Sequence, residues 1–408
     1  MSHAPTLHAP RPGPALAGVR VLELGGYLAS PFAGNILRHL GAEVIKIEPL
    51  DGDPTRTIKG GTPGGTFIAY SAGKKSVCLD LACDGGQDAL ARLLPTADVL
   101  IHNFSVGTAR KLGVTRERCH RIHPGLVHCH ISGYGAGPRH EELASNPVIE
   151  AATGVMHANR VDGRPARMGP SYHDMFAGMQ AVIGILSCLT GDRRLETERC
   201  VEVGLYETGL HVAARDLVAA QADKQRPADQ VVAPAAEFGH PGYGAYRSAD
   251  GRWVFLLMLS DRHWSLFAQA MELPQADDPG LATRAQRERR HEEVETIVRD
   301  AIASCTWSRL IPRLERAGLG HTEVKPPLDV LDDPQAQAPG KVEHFVFDGL
   351  RFDVPSFPVV LGQAAPNALG RPPMLGEHTW EVLRSLGLDH QVCDALARSG
   401  AARMGAAP

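Results

Sequence analysis

Near the start of the chain, residues 19–49 run VRVLELGG, then a helical stretch from about 31 to 40, then AEVIKIEP. This is strand, turn, helix, strand. Two strands joined through a helix cannot pair as a hairpin; they lie parallel, and the crossover is right-handed in nearly all such units. A parallel sheet must be covered on both faces, so one unit of this kind already commits the chain to an α/β fold. The pattern recurs downstream. SVCLDL reads as a strand, GGQDALARLLPTA as a helix and DVLIHNF as a strand, and LVHCHISGYG adds another strand after a polar helix around 116–122. The expected fold is α/β, with a large Rossmann-like parallel-sheet domain. That alternation is shared by many unrelated enzymes and by itself names no chemistry.

At 408 residues the chain is too long for one simple core. We read residues 1–14 as a flexible tail, 15–212 as the first part of the large domain, and 213–234 as a linker, polar and weakly periodic from 221 onward. Residues 235–335 form a smaller α+β domain, and 336–408 a return segment with the C-terminal part of the large domain. In the smaller domain GYGAYRSADGRWVFLLML predicts a strand pair turning at Asp250-Gly251, followed by helices near 263–271 and 291–303. From about 343 the chain is β- and Pro-rich, and a final helix starts near 377. The stretch 175–189 is apolar almost all round, which predicts a buried helix, with Ala177, Ala181 and Gly184 as a small-residue face for another helix.

A net charge of -4, with the basic residues scattered, gives no general attraction for nucleic acid or an acidic membrane surface. No apolar run reaches the roughly 18 residues a spanning helix needs. The eight cysteines lie far apart with no CxxC pair, which points to reduced thiols in a cytoplasmic protein and to no metal centre. LGG at 24–26 lacks the GxGxxG spacing of a dinucleotide site. His102, His128 and His130 fall in or beside strands; with the last two read as alternating in facing, a shared metal site is not expected.

The segment LAGVRVLELGGYLASPFAGNILRHLGAEVIKIEPLDGDPTR resembles the opening of the family III CoA-transferases (the CaiB/BaiF type), the group that includes formyl-CoA transferase, carnitine CoA-transferase and α-methylacyl-CoA racemase. SAGKKSVCLDL, ADVLIHNFSVGTARKLGV, ISGYGAGP with GPSYHDMFAGMQAVIGILSCL, and PMLGEHTWEVLRSLGL match it further, in order, over nearly the whole chain. The resemblance implies that Asp174 takes the acyl group from a thioester, giving an aspartyl anhydride and then an aspartyl-CoA thioester. It places Arg56, Lys74, Lys75 and Lys111 at the basic coenzyme A contacts, and Asn103 and Phe104 beside the nucleotide. Leu28, Asn146 and His173 fall at the substrate pocket. It further implies an interlocked homodimer, acyl-CoA and a carboxylic acid as partners, and coenzyme A thioester as substrate with no permanently bound cofactor.

From residue type alone, Asp174 reads as an N-cap before the apolar helix, where backbone N–H groups and the helix dipole favour the ionised carboxylate. An ionised, partly enclosed carboxylate is also a competent nucleophile. Leu28 stands where formyl-CoA transferase has Gln, the glycine-rich flap of that enzyme has FGHPGYGAY as its nearest remnant, and Ser145 or Asn146 replaces the racemases' His. An acyl-CoA racemase or isomerase using Asp174 with His173, and a catalytically silent CoA-binding protein, are the two alternatives.

Overall fold

The computed structural model describes residues 14–57, 63–161, 163–190, 199–225, 240–361 and 370–405. The expected tail lies outside these residues except at its last position. Two compact units result, residues 1–214 with 338–408 and residues 215–337. Of the expected linker, Ala214–Lys224 is helical; its later part, 226–234, lies outside the described residues. Its first half carries Leu217, Val218 and several alanines, which suffice for helix once the preceding turn is in place.

The first unit is built on a seven-stranded sheet. Its strands are β1 Arg20–Leu24, β2 Glu43–Glu48, β3 Lys75–Leu79, β4 Val99–His102, β5 Val127–Ser132, β6 Cys200–Gly204 and β7 Ala402–Arg403. They stand in the order β7-β3-β2-β1-β4-β5-β6, parallel except β7, which runs antiparallel to β3. Period-two alternation splits the strand residues between two cores. Leu22 and Leu24 pack with the helix Asp84–Leu93 on one face, while Val21 packs on the other with helix α1, Ala29–His39, and the helix Tyr172–Thr190. The same period corrects the expectation for His128 and His130: two residues apart on β5, they share a face.

The return segment is stitched along β3. Gly73 N–H donates to Arg371 O at 3.0 Å, His378 N–H to Ser76 O at 2.9 Å, and Cys78 N–H to Thr379 Oγ1 at 2.9 Å. The final helices Thr379–Ser385 and His390–Arg398 then deliver β7 to the sheet edge. Earlier in that segment, Val342–Phe347 and Leu350–Pro355 form a hairpin whose two turn residues, Asp348 and Gly349, both have positive φ, as the strand twist requires.

The helix Tyr172–Thr190 departs from the all-round burial expected of it. Ala177, Ala181 and Ile185 are buried, but Met179 is 38% and Ile183 64% exposed on one face. Among the described residues no helix is long and apolar enough to cross a membrane.

In the second unit the strands Tyr243–Arg247 and Trp253–Leu257 pair antiparallel, with Gly320–Glu323 as third strand. Gly251 takes the positive φ of the connecting loop, and Asp250 accepts from Ser248 Oγ at 2.7 Å. Trp264, Phe267, Val294 and Val298 fill its core.

Candidate active site

The strand order reverses direction between β1 and β4, and open α/β sheets leave a crevice at the carboxyl ends of the strands flanking such a point. There β1 runs into Gly25-Gly26-Tyr27-Leu28 before α1, and β4 into Asn103-Phe104. Asn103 joins the two ends: its Nδ2 donates to Gly26 O at 2.9 Å and its Oδ1 accepts from Gly26 N–H at 3.2 Å. A side chain at Gly25 would collide with that amide, its Cβ falling 2.0 Å from Asn103 Oδ1. Tyr27 holds φ 62 with 68% of its surface exposed. A bulky residue in the left-handed region is uncommon and costs about 1–3 kcal/mol. Sequence reasoning passed over Tyr27, since nothing in residue type announces a positive φ.

Asp174 reaches the same place through helix packing. The helix Tyr172–Thr190 crosses from β5 to β6 and α1 from β1 to β2, so both run against the strands and parallel to each other. They touch at Gly178, where a Cβ would lie 2.9 Å from Ala29 O. Asp174 is one turn earlier on that face, level with the loop that ends at Leu28. The helix begins at Tyr172, so Asp174 is in its first turn and not at the cap. Among the described residues nothing donates a hydrogen bond to its carboxyl, and half-burial pushes its pKa up to about 6. This corrects the expectation that the site favours ionisation: desolvation outweighs the helix dipole, which is worth only about 0.3–1 kcal/mol.

Asn146 anchors the start of this helix. Its Oδ1 accepts from His173 N–H at 2.9 Å, and its Nδ2 donates to the buried Glu150 Oε1 at 2.5 Å. The other Glu150 oxygen accepts from Met168 N–H at 3.1 Å. The His173 ring is 1% exposed and packs where a Cβ on Gly209 would come within 3.0 Å of its Cδ2. Burial lowers its pKa, leaving it neutral, and helical geometry turns it about 100° away from Asp174.

The expected cations do not gather as one patch. Lys74 is buried: its Nζ donates to Glu23 Oε2 at 2.5 Å and to Pro31 O at 2.9 Å, and burial, opposed by Glu23, brings its pKa down to about 8. With Lys46, 3.1 Å from Glu23 and 2.7 Å from Asp53, it completes a neutral buried quartet beneath the loop, and Lys46 also donates to Gly25 O. Lys74 is therefore no surface contact for a phosphate, contrary to expectation, because parallel strands bury both faces and its neighbour Lys75 takes the outward position. Gly34 makes room for the quartet, since a Cβ there would lie 1.9 Å from Glu23 Oε2.

Arg56 grips Glu48 at 2.6 Å, donates to Pro373 O at 3.0 Å and lies over the Phe67 ring at 4.1 Å. Lys75 bridges Glu43 and Glu381 at 2.8 and 2.7 Å. Lys111, in the last turn of Val106–Lys111, is exposed and without an ion-pair partner among the described residues. Phe104 is partly buried against the core, and its carbonyl accepts from His130 Nε2 at 2.8 Å.

An unpaired, desolvated carboxyl beside a fixed backbone loop is suited to attack an electrophilic carbonyl once ionised. The sequence profile described as CoA-transferase family III matches residues 16–379. A succinyl-CoA:mesaconate CoA-transferase of Haloarcula hispanica is 29% identical, covering 92% of this chain and 97% of its own. A succinyl-CoA–D-citramalate CoA-transferase of Chloroflexus aurantiacus is 32% identical over 79% of this chain and 82% of its own. Among solved structures, a CAIB/BAIF family protein from Brucella suis superimposes with a TM-score of 0.79 at 26% identity, over 91% of this chain and 99% of that one.

Proposed function

This chain belongs to CoA-transferase family III, and we propose that it moves CoA from an acyl-CoA to a free carboxylic acid with Asp174 as the acyl acceptor. The observation that carries the reading is the Asp174 carboxyl itself: unpaired, half-buried and level with the Gly25–Leu28 loop at the sheet reversal. Asp174 attacks the thioester carbonyl, forming an aspartyl anhydride and releasing CoA thiolate. The thiolate attacks the aspartyl carbonyl, expelling the donor carboxylate and leaving an aspartyl-CoA thioester. The acceptor carboxylate attacks that thioester to give a second anhydride. Returning thiolate then takes the new acyl group and frees Asp174.

Each step exchanges one activated acyl bond for another, which is how covalent catalysis divides a hard transfer. Succinyl-CoA is the donor we favour and a small dicarboxylic acid the acceptor, supported by the names of the relatives from Haloarcula hispanica and Chloroflexus aurantiacus. Arg56, Lys75 and Lys111 are proposed for the coenzyme A phosphates, with Asn103 and Phe104 shaping the nucleotide end. In this reading Arg56 and Lys75 exchange part of their carboxylate pairing for phosphate. The buried, neutral His173 argues for transfer over racemisation, since its ring is turned from Asp174 and has no exposed face.

The test is Asp174→Asn beside wild type, with succinyl-CoA and a panel of carboxylic acids followed by mass spectrometry, and hydroxylamine trapping of the charged enzyme. Transfer should vanish while acyl-CoA still binds, and wild type should carry a hydroxamate on the peptide containing Asp174. Transfer surviving in the variant, with no label on that peptide, would sink the covalent route. Turnover by wild type with other acyl-CoAs and none with succinyl-CoA would overturn only the choice of donor.

A further inference from the structure

On the sheet face away from this chemistry, β5 and β6 set His128 directly opposite Cys200 and His130 opposite Glu202. Ligating atoms of His128, Cys200 and Glu202 lie within 4.8 Å of one another. We propose that these three residues form a binding site for a divalent zinc-type cation, which clamps the edge strand β6 to β5.

Three further observations support this. His128 is 2% exposed and its Nε2 meets Val114 O at 2.9 Å. A carbonyl oxygen only accepts, so Nε2 carries the proton; Nδ1, buried and without a partner among the described residues, is the ring's lone pair. A histidine ligand fixed through its other nitrogen by a backbone carbonyl is the usual way a protein orients imidazole for a metal. Second, His130 is oriented by the same device, its Nε2 donating to Phe104 O at 2.8 Å, and its Nδ1 stands 3.1 Å from Glu202 Oε2, where the ring donates and positions the carboxylate when both nitrogens carry protons. Third, the Cys200 S–H is aimed at Glu202 Oε1 at 3.6 Å, which places sulfur and the second carboxylate oxygen side by side. Imidazole, thiolate and carboxylate together match the borderline-soft donors zinc takes, with a fourth position left for water.

A cysteine ligates as thiolate, so binding releases the Cys200 thiol proton to solvent. Glu202 and Cys200 are at least partly exposed and can close the remaining distance by side-chain rotation. Both histidine carbonyl partners lie on segments next to β4 and β5, so the ion would also stiffen the Phe104 strand end.

The experiment uses tag-free full-length protein, stripped with chelator and titrated with Zn²⁺ alone by equilibrium dialysis, then with Co²⁺ for its spectrum. One ion per chain is expected in wild type and in Asp174→Asn, at least tenfold weaker in Cys200→Ser and in Glu202→Gln. Cobalt should show a thiolate charge-transfer band that Cys200→Ser lacks, and Zn²⁺ should raise the melting temperature of wild type by several degrees but not that of the variants. Circular dichroism of the stripped variants guards against simple misfolding, because both changes are conservative and lie at the accessible side of the cluster. Equal Zn²⁺ affinity in wild type and both variants, or a cobalt spectrum without the thiolate band, would overturn the site and leave only a His130–Glu202 ion pair.

Discussion

Asp174 carries a carboxyl whose pKa in the folded chain, about 6, is above the ordinary 3.8 because burial disfavours its charge. For an acid raised in this way, the folded state is relatively favoured while the group is neutral, and that advantage is lost as pH rises through about 6. Asp174→Asn should therefore match wild type in stability near pH 4 and exceed it near pH 8. The shift converts to an upper bound of about 3 kcal/mol, which partial exposure reduces to about 1–2. Chemical denaturation at the two pH values checks this, and an equal difference at both would show that the carboxyl is not destabilised by its surroundings. Attack needs the ionised form, so kcat/KM in wild type should fall as pH drops through about 6. Asn146 tests the anchor below it. Asn146→Ala removes the donor to buried Glu150 and the acceptor of His173 N–H, a loss of about 2–3 kcal/mol. Turnover should drop more than acyl-CoA affinity, because the side chain holds the helix start and lies outside the expected phosphate contacts. The resemblance to the family III CoA-transferases, not residue type, singled out Asp174 in the sequence; its unpaired state was not legible there, since that depends on which donors the fold fails to bring near.

The contact between α1 and the helix Tyr172–Thr190 fixes the height of Asp174 against the loop after β1. Gly178 permits it, with Ala29 O 2.9 Å from where a Cβ would lie and the Phe32 ring next to it. Gly178→Ala must push the helices apart, costing about 1–3 kcal/mol as overpacking does. It should lower kcat while leaving the buried quartet of Lys46, Glu23, Lys74 and Asp53 intact, which thermal melting and steady-state kinetics together can separate. An unchanged kcat in a destabilised Gly178→Ala would show that the height of this helix does not matter to the reaction. The small-residue face was visible as Ala177, Ala181 and Gly184, yet the glycine that packs on α1 is Gly178, while Gly184 packs on Val201. Helical periodicity says which residues share a face; which of them meets a partner depends on where the partner's axis crosses.

For the whole molecule, the exposed Met179 and Ile183 on an otherwise apolar helix suit the interlocked homodimer that the family resemblance implies. Sedimentation should then give about twice 43.8 kDa, unchanged on dilution. Ile183→Glu should yield monomer or aggregate, and a folded, active wild-type monomer at micromolar concentration would rule the assembly out. Seen across the chain, family resemblance singled out the motif around Asp174, and local chemistry dictated the rest that was legible in the sequence: the βαβ alternation and hence a parallel sheet, the hairpin after Tyr243 and the β-rich late segment. Those follow from side-chain period and turn residues within a few positions of one another. Tertiary contacts alone decided that Lys74 is withdrawn into a quartet with residues 21 to 51 positions away, that Asp174 has no donor among the described residues, and that His128 and Cys200, 72 residues apart, stand opposite each other on neighbouring strands. Burial and pairing depend on which distant strands become neighbours, and that choice is made by the packing of the whole sheet between its two layers of helices.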